Sequence, residues 1–186
     1  MKRIILDLCA GTGGWSQPYV DAGYDVRRYD LLHGTGECLK DIRLLEYPTF
    51  PVHGILAAPP CTVFAASGNR WPRSERDMAD GLSVVDACLR LVVVCRPQWW
   101  VLENPVGKLK RYLGPPTMRF DPCDYGDPYT KKTLLWGNFT PPMKTPCLPL
   151  DGSKMHTRFG GKSQRTKTLR SETPLGFAAA FFNANP

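Results

Sequence analysis

The chain has 186 residues, enough for one domain with a substantial core, and its 42% hydrophobic and 22% charged residues place it in the soluble globular class. A formal charge of +7 favours a polyanionic partner. No apolar run reaches the roughly 18 residues of a membrane span, and Asp7 interrupts the apolar start where a signal peptide would carry no charge, so a cytoplasmic protein without membrane association is expected.

In chain order, residues 3–8 (RIILDL) read as a buried strand and 10–15 (AGTGGW) as a glycine turn into a helix near 16–23. A second strand, 25–30 (DVRRYD), ends in an acid, and a third, 53–58 (HGILAA), runs straight into AAPPCTVFAASG (57–68). From Met78 to Cys95, Leu82, Val85, Leu89 and Val92 follow helical spacing, with Asp86 and Arg90 on another face. Residues 98–105 (QWWVLENP) and 133–139 (TLLWGNF) read as two more strands. Beyond Phe139 the pattern dissolves into proline, glycine and lysine until TPLGFAAAFFNANP gives a final helix. There is no repeat and no linker, so a single domain is expected over residues 1–186.

Strands alternating with helices predict an α/β fold, a Rossmann-like, doubly wound and mostly parallel sheet. Such sheets bind ligands at the carboxyl ends of their strands. Asp7, Gly11, Gly13, Gly14, Asp30, the Pro59-Pro60-Cys61 turn and Glu103-Asn104-Pro105 all fall at predicted strand ends, which gathers them on one edge.

The glycines let a ligand approach the backbone, and Asp30 is placed for ribose hydroxyls. No lysine follows them as a phosphate loop would require, which favours a nucleoside cofactor without a polyphosphate. Cys61 is either a small core residue or a nucleophile held out by two stiff prolines. Glu103 is either the plain end of a strand or a proton donor to a ring nitrogen. The seven cysteines are odd in number and lack CxxC spacing, and three histidines are scattered, so free thiols and no metal are expected. Residues 140–170 hold Lys144, Lys154, Arg158, Lys162, Arg165, Lys167 and Arg170 against the single acid Asp151, a net +6. That stretch is a solvated loop or a nucleic-acid contact.

Taken in order, the motifs resemble the cytosine-C5 DNA methyltransferases. DLCAGTGGWS (7–16) resembles the family's first motif, with Cys9 where phenylalanine is usual. APPCTVFAASG (58–68) resembles its Pro-Pro-Cys motif, with Ala65 where serine is usual, and LENP (102–105) its Glu-Asn motif, with Pro105 for valine. DYGDPYTKKTLLWG (124–137) is similar to the stretch normally written GxPQxRxR, with Tyr129 for glutamine, and Lys131 and Thr133 for the arginines. RSETPLGFA (170–178) resembles the R-x-x-T-P segment. The match runs from 7 to about 178. The usual target-recognition region, on the order of a hundred residues, is replaced by the short basic stretch at 140–170, and FNANP (182–186) only echoes the last motif. This compact form is similar to phage versions of the family.

The resemblance implies a class I S-adenosylmethionine-dependent methyltransferase that flips cytosine out of DNA. Cys61 would be the nucleophile, Glu103 the proton donor and Lys131 an aid to both catalysis and DNA contact. It implies a cofactor site from Asp7, Cys9, Ala10, Gly11, Thr12, Gly13, Gly14, Trp15, Asp30, Asp41, Ile42 and Pro59. DNA contacts would come from Ser67, Asn69, Arg70, Arg158, Lys162 and Arg165, with residues 64–81 as a closing loop. A monomer is expected, with a partner for sequence recognition left open. A free cytidine nucleotide or RNA as substrate, and a catalytically silent nucleic-acid-binding protein, stay open as alternatives.

Overall fold

The computed structural model describes residues 2–32, 39–68, 72–153 and 164–186, with the backbone alone of 164–167. Its centre is a six-stranded sheet of β1 (Ile4–Leu8), β2 (Asp25–Tyr29), β3 (Gly54–Ala57), β4 (Trp99–Pro105), β5 (Met118–Phe120) and β6 (Thr133–Asn138). The order is β2-β1-β3-β4-β6-β5. β1 to β4 run parallel, whereas β6 lies antiparallel to both β4 and β5. Leu8, Ala57 and Leu102 stand in one row across the three central strands. This is the mostly parallel α/β sheet that the alternation predicts.

Side chains alternate across the sheet, and each face buries its own core. Leu6, Leu8, Ile55, Ala57, Leu102, Leu134 and Trp136 pack with Val85, Cys88 and Leu91 of the helix α2 (Glu75–Cys95) and with Ile42. Ile5, Leu56, Val101 and Leu135 pack the other way, against Trp15 and Tyr19 and against Phe177, Ala178 and Phe181 of the C-terminal helix. On that side lie α1 (Gln17–Asp21) and the C-terminal helix α5 (Leu175–Ala184); α3 (Lys110–Leu113) and α4 (Gln164–Ser171) are the other short helices of the described residues. Phe120 stacks on Phe177 with ring centroids 3.9 Å apart, which docks α5 onto β5. The sheet is doubly wound.

One expectation is corrected and the others gain detail. α2 begins at Glu75, because Ser74 and Asp77 close a reciprocal capping box; residues 75–81 of the supposed closing loop are therefore helix. The buried stripe of α2 is centred on Val85, Cys88 and Leu91, with Leu82, Leu89 and Val92 half-buried. Arg90 is half-buried, and its guanidinium donates to the carbonyls of Ile42 and Leu45. The terminal Asn185 is a clasp, 3% exposed, exchanging hydrogen bonds with the backbone of Thr140 at 2.7 and 2.9 Å. No helix of the described residues is long and apolar enough to cross a membrane.

Candidate active site

Because β1 to β4 are parallel, the segments that leave their carboxyl ends meet on one edge. After β1 the backbone turns with positive φ at Cys9, Gly11 and Gly13 (58°, 55° and 73°). Cys9 tolerates this at a cost that a glycine avoids. A Cβ at Gly11 would touch nothing within 4 Å, so the turn is open there. A Cβ at Gly13 would lie 2.6 Å from the Arg28 guanidinium. That guanidinium braces the turn, donating to Ser16 Oγ at 2.9 Å, the Gly13 carbonyl at 2.9 Å and Gln17 Oε1 at 3.0 Å.

Asp30, at the end of β2, accepts from the N–H groups of Gly11 and Leu32 at 3.0 and 2.7 Å, so one carboxylate ties the two loops together. Asp7 is buried beneath the turn, and its Oδ2 has no hydrogen-bond partner. Burial first, and then the Asp30 charge, push its carboxyl up to about 6, while Ser16 and Arg28 pull it down. An orphaned carboxylate oxygen, an open glycine turn and a second carboxylate fit a nucleoside that carries a positive charge. S-adenosylmethionine is such a group.

The other predicted cofactor residues are placed differently from one another. Ala10 and Thr12 lie in the turn, with Thr12 exposed and Gly14 half-buried. Trp15 is buried, 5.9 and 5.7 Å from Phe177 and Phe181 between ring centroids, and its Nε1 lacks a partner. Asp41 is held by Arg43, which also reaches Asp80 at 2.6 Å, and those bonds hold its carboxyl below the usual range. Ile42 is core.

After β3, Pro59 is buried and its carbonyl accepts from Asn104 Nδ2 at 2.9 Å. The Glu-Asn motif thereby clamps the proline turn onto the end of β4. Cys61 follows, exposed, and its carbonyl accepts from the N–H groups of Phe64 and Ala65. Arg73 donates to the Thr62 carbonyl at 2.9 Å. Gly107 is required by close approach, since a Cβ there would lie 1.9 Å from the Phe64 carbonyl oxygen.

Glu103 is half-buried, and Lys131 comes from the loop before β6. The surrounding protein and the Glu103 charge push the Cys61 thiol up, and the Lys131 ammonium pulls it down. Burial likewise pushes the Glu103 carboxyl above its ordinary value, against Lys131. The three groups therefore sense one another. Lys131 Nζ donates to the Glu172 carbonyl at 3.3 Å, which ties the R-x-x-T-P segment to this site. Thr133 is buried and donates to the Lys131 carbonyl.

Ser67 is exposed in a short 3-10 turn, 66–68, on the same loop. Asn69, Arg70, Arg158 and Lys162 lie outside the described residues, and of Arg165 only the backbone, in α4, is described. Within the basic stretch, Lys144 is paired to Asp124 at 3.2 Å. Sequence reasoning missed the bracing roles of Arg28 and Arg73. Arg28 was legible only as a cation in a strand; what it braces is set by the fold.

Comparison with known proteins bears on the sequence and the fold. The chain is 30% identical over 122 residues to the type II methyltransferase M.DdeI of Desulfomicrobium norvegicum, covering 56% of this chain and 28% of that protein. It therefore spans well under half the length of this relative. The fold is similar, with a TM-score of 0.52 and 20% identity, to a crystal structure assigned as a DNA modification methyltransferase encoded within a prophage (E. coli), covering 79% of this chain and 53% of the other. No protein-family model matches the sequence. Sequence and fold thus both bear out the resemblance drawn from the motifs.

Proposed function

We propose that this chain, a relative of the DNA methyltransferases, transfers the methyl group of S-adenosylmethionine to C5 of cytosine in DNA through a covalent adduct on Cys61. The observation that carries the reading is the Asn104–Pro59 hydrogen bond, which clamps the turn bearing Cys61 onto β4, the strand that bears Glu103, with Lys131 two residues before the neighbouring β6. Asp7, the glycine turn and Asp30 would hold the cofactor, which supplies an electrophilic methyl group.

Cytosine C5 is a weak nucleophile. Addition of the Cys61 thiolate to C6, with a proton from Glu103 to N3, pushes electron density onto C5. Burial raises the Glu103 carboxyl above its ordinary value, so it holds its proton more tightly than a free carboxyl does, which suits the donor's task. Lys131 offsets two negative charges at once, favouring the thiolate and stabilising Glu103 after it has given up its proton. Loss of the C5 proton to a base then releases the Cys61 sulfur. Reaching a base in duplex DNA costs a few kcal/mol of unstacking and unpairing, which contacts from Ser67, Asn69, Arg70 and the 140–170 stretch would offset.

The test is methyl transfer from labelled S-adenosylmethionine to duplex DNA, RNA and dCMP in parallel. Transfer to DNA, lost by at least about a thousandfold in Cys61→Ala with cofactor affinity kept, is the expected result. Preferential transfer to RNA or dCMP would replace the substrate, and an active Cys61→Ala variant would end the covalent mechanism.

A further inference from the structure

Three segments run side by side at the rim of the Cys61–Glu103 site. The Ala66 N–H donates to the Val106 carbonyl at 2.9 Å, the Lys108 N–H to the Phe64 carbonyl at 2.7 Å, and the Val106 N–H to the Lys132 carbonyl at 3.3 Å. Lys108 and Lys132 therefore stand on neighbouring backbones beside the nucleophile's loop. The helix α3 follows at once and carries Lys110 and Arg111, both exposed. Leu109, between Lys108 and Lys110, is fully buried and fixes this turn to the core under the site.

Charge on this rim is one-sided. Residues 104–120 contain Lys108, Lys110, Arg111 and Arg119 and no acid. Many of the other cations are engaged: Arg27 on Asp25, Arg43 on Asp41 and Asp80, Lys144 on Asp124, Arg28 on the glycine turn and Arg73 on a carbonyl. No side-chain hydrogen bond or ion pair engages Lys108, Lys110, Arg111 or Lys132 among the described residues. Four free cations gathered on one rim set up a positive potential that an anion relieves.

We infer that Lys108, Lys110, Arg111 and Lys132 form a phosphate-gripping rim for the DNA strand that carries the target base. The inference rests on the methyltransferase reading. A base brought to Cys61 stays joined to its own sugar-phosphate chain, so the flanking phosphates must lie at the mouth of the site. The rim stands at that mouth. It also lends the chain a grip on DNA built into the catalytic sheet, independent of the 140–170 stretch, where Lys144 already has a carboxylate partner. Phosphate contacts of this kind fix position and carry no base information.

The experiment is equilibrium binding of a fluorescent cytosine-containing duplex across a salt series, for the full chain and for Lys110→Gln/Arg111→Gln/Lys132→Gln. Each lost phosphate contact should flatten the log–log salt slope by about 0.9, so the triple variant should lose up to about 2.7 of slope and each single variant up to about 0.9. A double variant on the opposite edge of the sheet, Lys2→Gln/Arg96→Gln, matches the charge lost in Lys110→Gln/Arg111→Gln and should leave the slope nearly as it was, whereas that rim pair should lose up to about 1.8. A triple variant that binds with the original slope, or a control that flattens it equally, overturns the rim. Single variants keep the test open should the triple fail to fold, and S-adenosylmethionine binding reports on folding throughout. Failure of the unaltered chain to bind duplex while it binds the cofactor would instead sink the DNA reading. Tighter binding to RNA of the same sequence, flattened equally by the triple variant, would keep the rim and overturn its assignment to DNA.

Discussion

The glycine turn after β1 and the proline turn after β3 sit on the same edge of the sheet, yet they are held in different ways. The glycine turn is braced by side chains close in sequence: Arg28 reaches back 15 residues to Gly13, and Asp30 reaches back 19 to Gly11. The proline turn is held mainly from afar, by Asn104 across 45 residues and by backbone bonds to Val106 and Lys108, with Arg73 adding one nearer bond to the Thr62 carbonyl. In the first half, charged side chains brace the turn, and one buried carboxylate oxygen has no hydrogen-bond partner. In the second, backbone and amide do most of the holding, and none of these bonds uses the side chain of Cys61 or Glu103. A receptacle and a reactive pair are thus separable by mutation.

The largest expected effect is on the reactive half. Glu103→Gln keeps the side-chain shape but cannot donate the same proton, so kcat should fall by about a hundredfold to ten-thousandfold with DNA and cofactor affinities little changed. Steady-state kinetics beside direct binding measurements check this. Equal turnover would reduce Glu103 to the end of a strand.

Asp7→Asn addresses the receptacle. The Asp7 carboxyl lies near 6 in the fold against 3.8 ordinarily, so the folded state holds its proton more tightly than the unfolded chain does. Its favourable contribution is complete below the ordinary value and is lost as pH rises through about 6. Removing the charge should therefore stabilise the free protein at pH 8 by on the order of 2–3 kcal/mol, and hardly at pH 4. The same change should weaken cofactor binding. Urea titrations at the two pH values and calorimetry with S-adenosylmethionine read both effects; a variant equally stable to the parent at pH 8 would mean that the buried charge is compensated.

Lys131→Met should act most gently, and on the reactive half alone. Loss of the ammonium disfavours both the thiolate and the Glu103 carboxylate, so both titrations rise and the whole pH–rate profile moves to higher pH. A pH series of kcat decides it. A profile that loses height without moving would make Lys131 a DNA contact only.

Much of this comparison was legible before the fold was seen, and the reasons are local. Buried parallel strands are short apolar runs, so β1, β3 and β4 stand out, and the glycine and proline turns mark where their carboxyl ends must be. The start of α2 was also written in the sequence, as Ser74-x-x-Asp77, a capping signal that apolar spacing alone does not report. β5 was not legible: Met118–Phe120 is three residues without a period, held as a strand by pairing with β6 and by Phe177. Nor could spacing bring Lys131 to Cys61, or Arg28 to Gly13, because those meetings depend on strand order. The free cations of the rim were visible as letters but not as neighbours.

The central claim is that Cys61 bonds to the base while the glycine half merely holds the methyl donor. Incubating the chain with S-adenosylmethionine and a duplex in which 5-fluorocytosine replaces cytosine tests it most directly, because fluorine cannot leave C5 as a proton does. The account predicts a denaturation-stable protein–DNA species whose mass is the sum of chain, duplex strand and one methyl group, mapped to Cys61 and absent in Cys61→Ala. Methylation of ordinary cytosine with no trapped species on the fluorinated duplex, or a trapped species that survives Cys61→Ala, would contradict it.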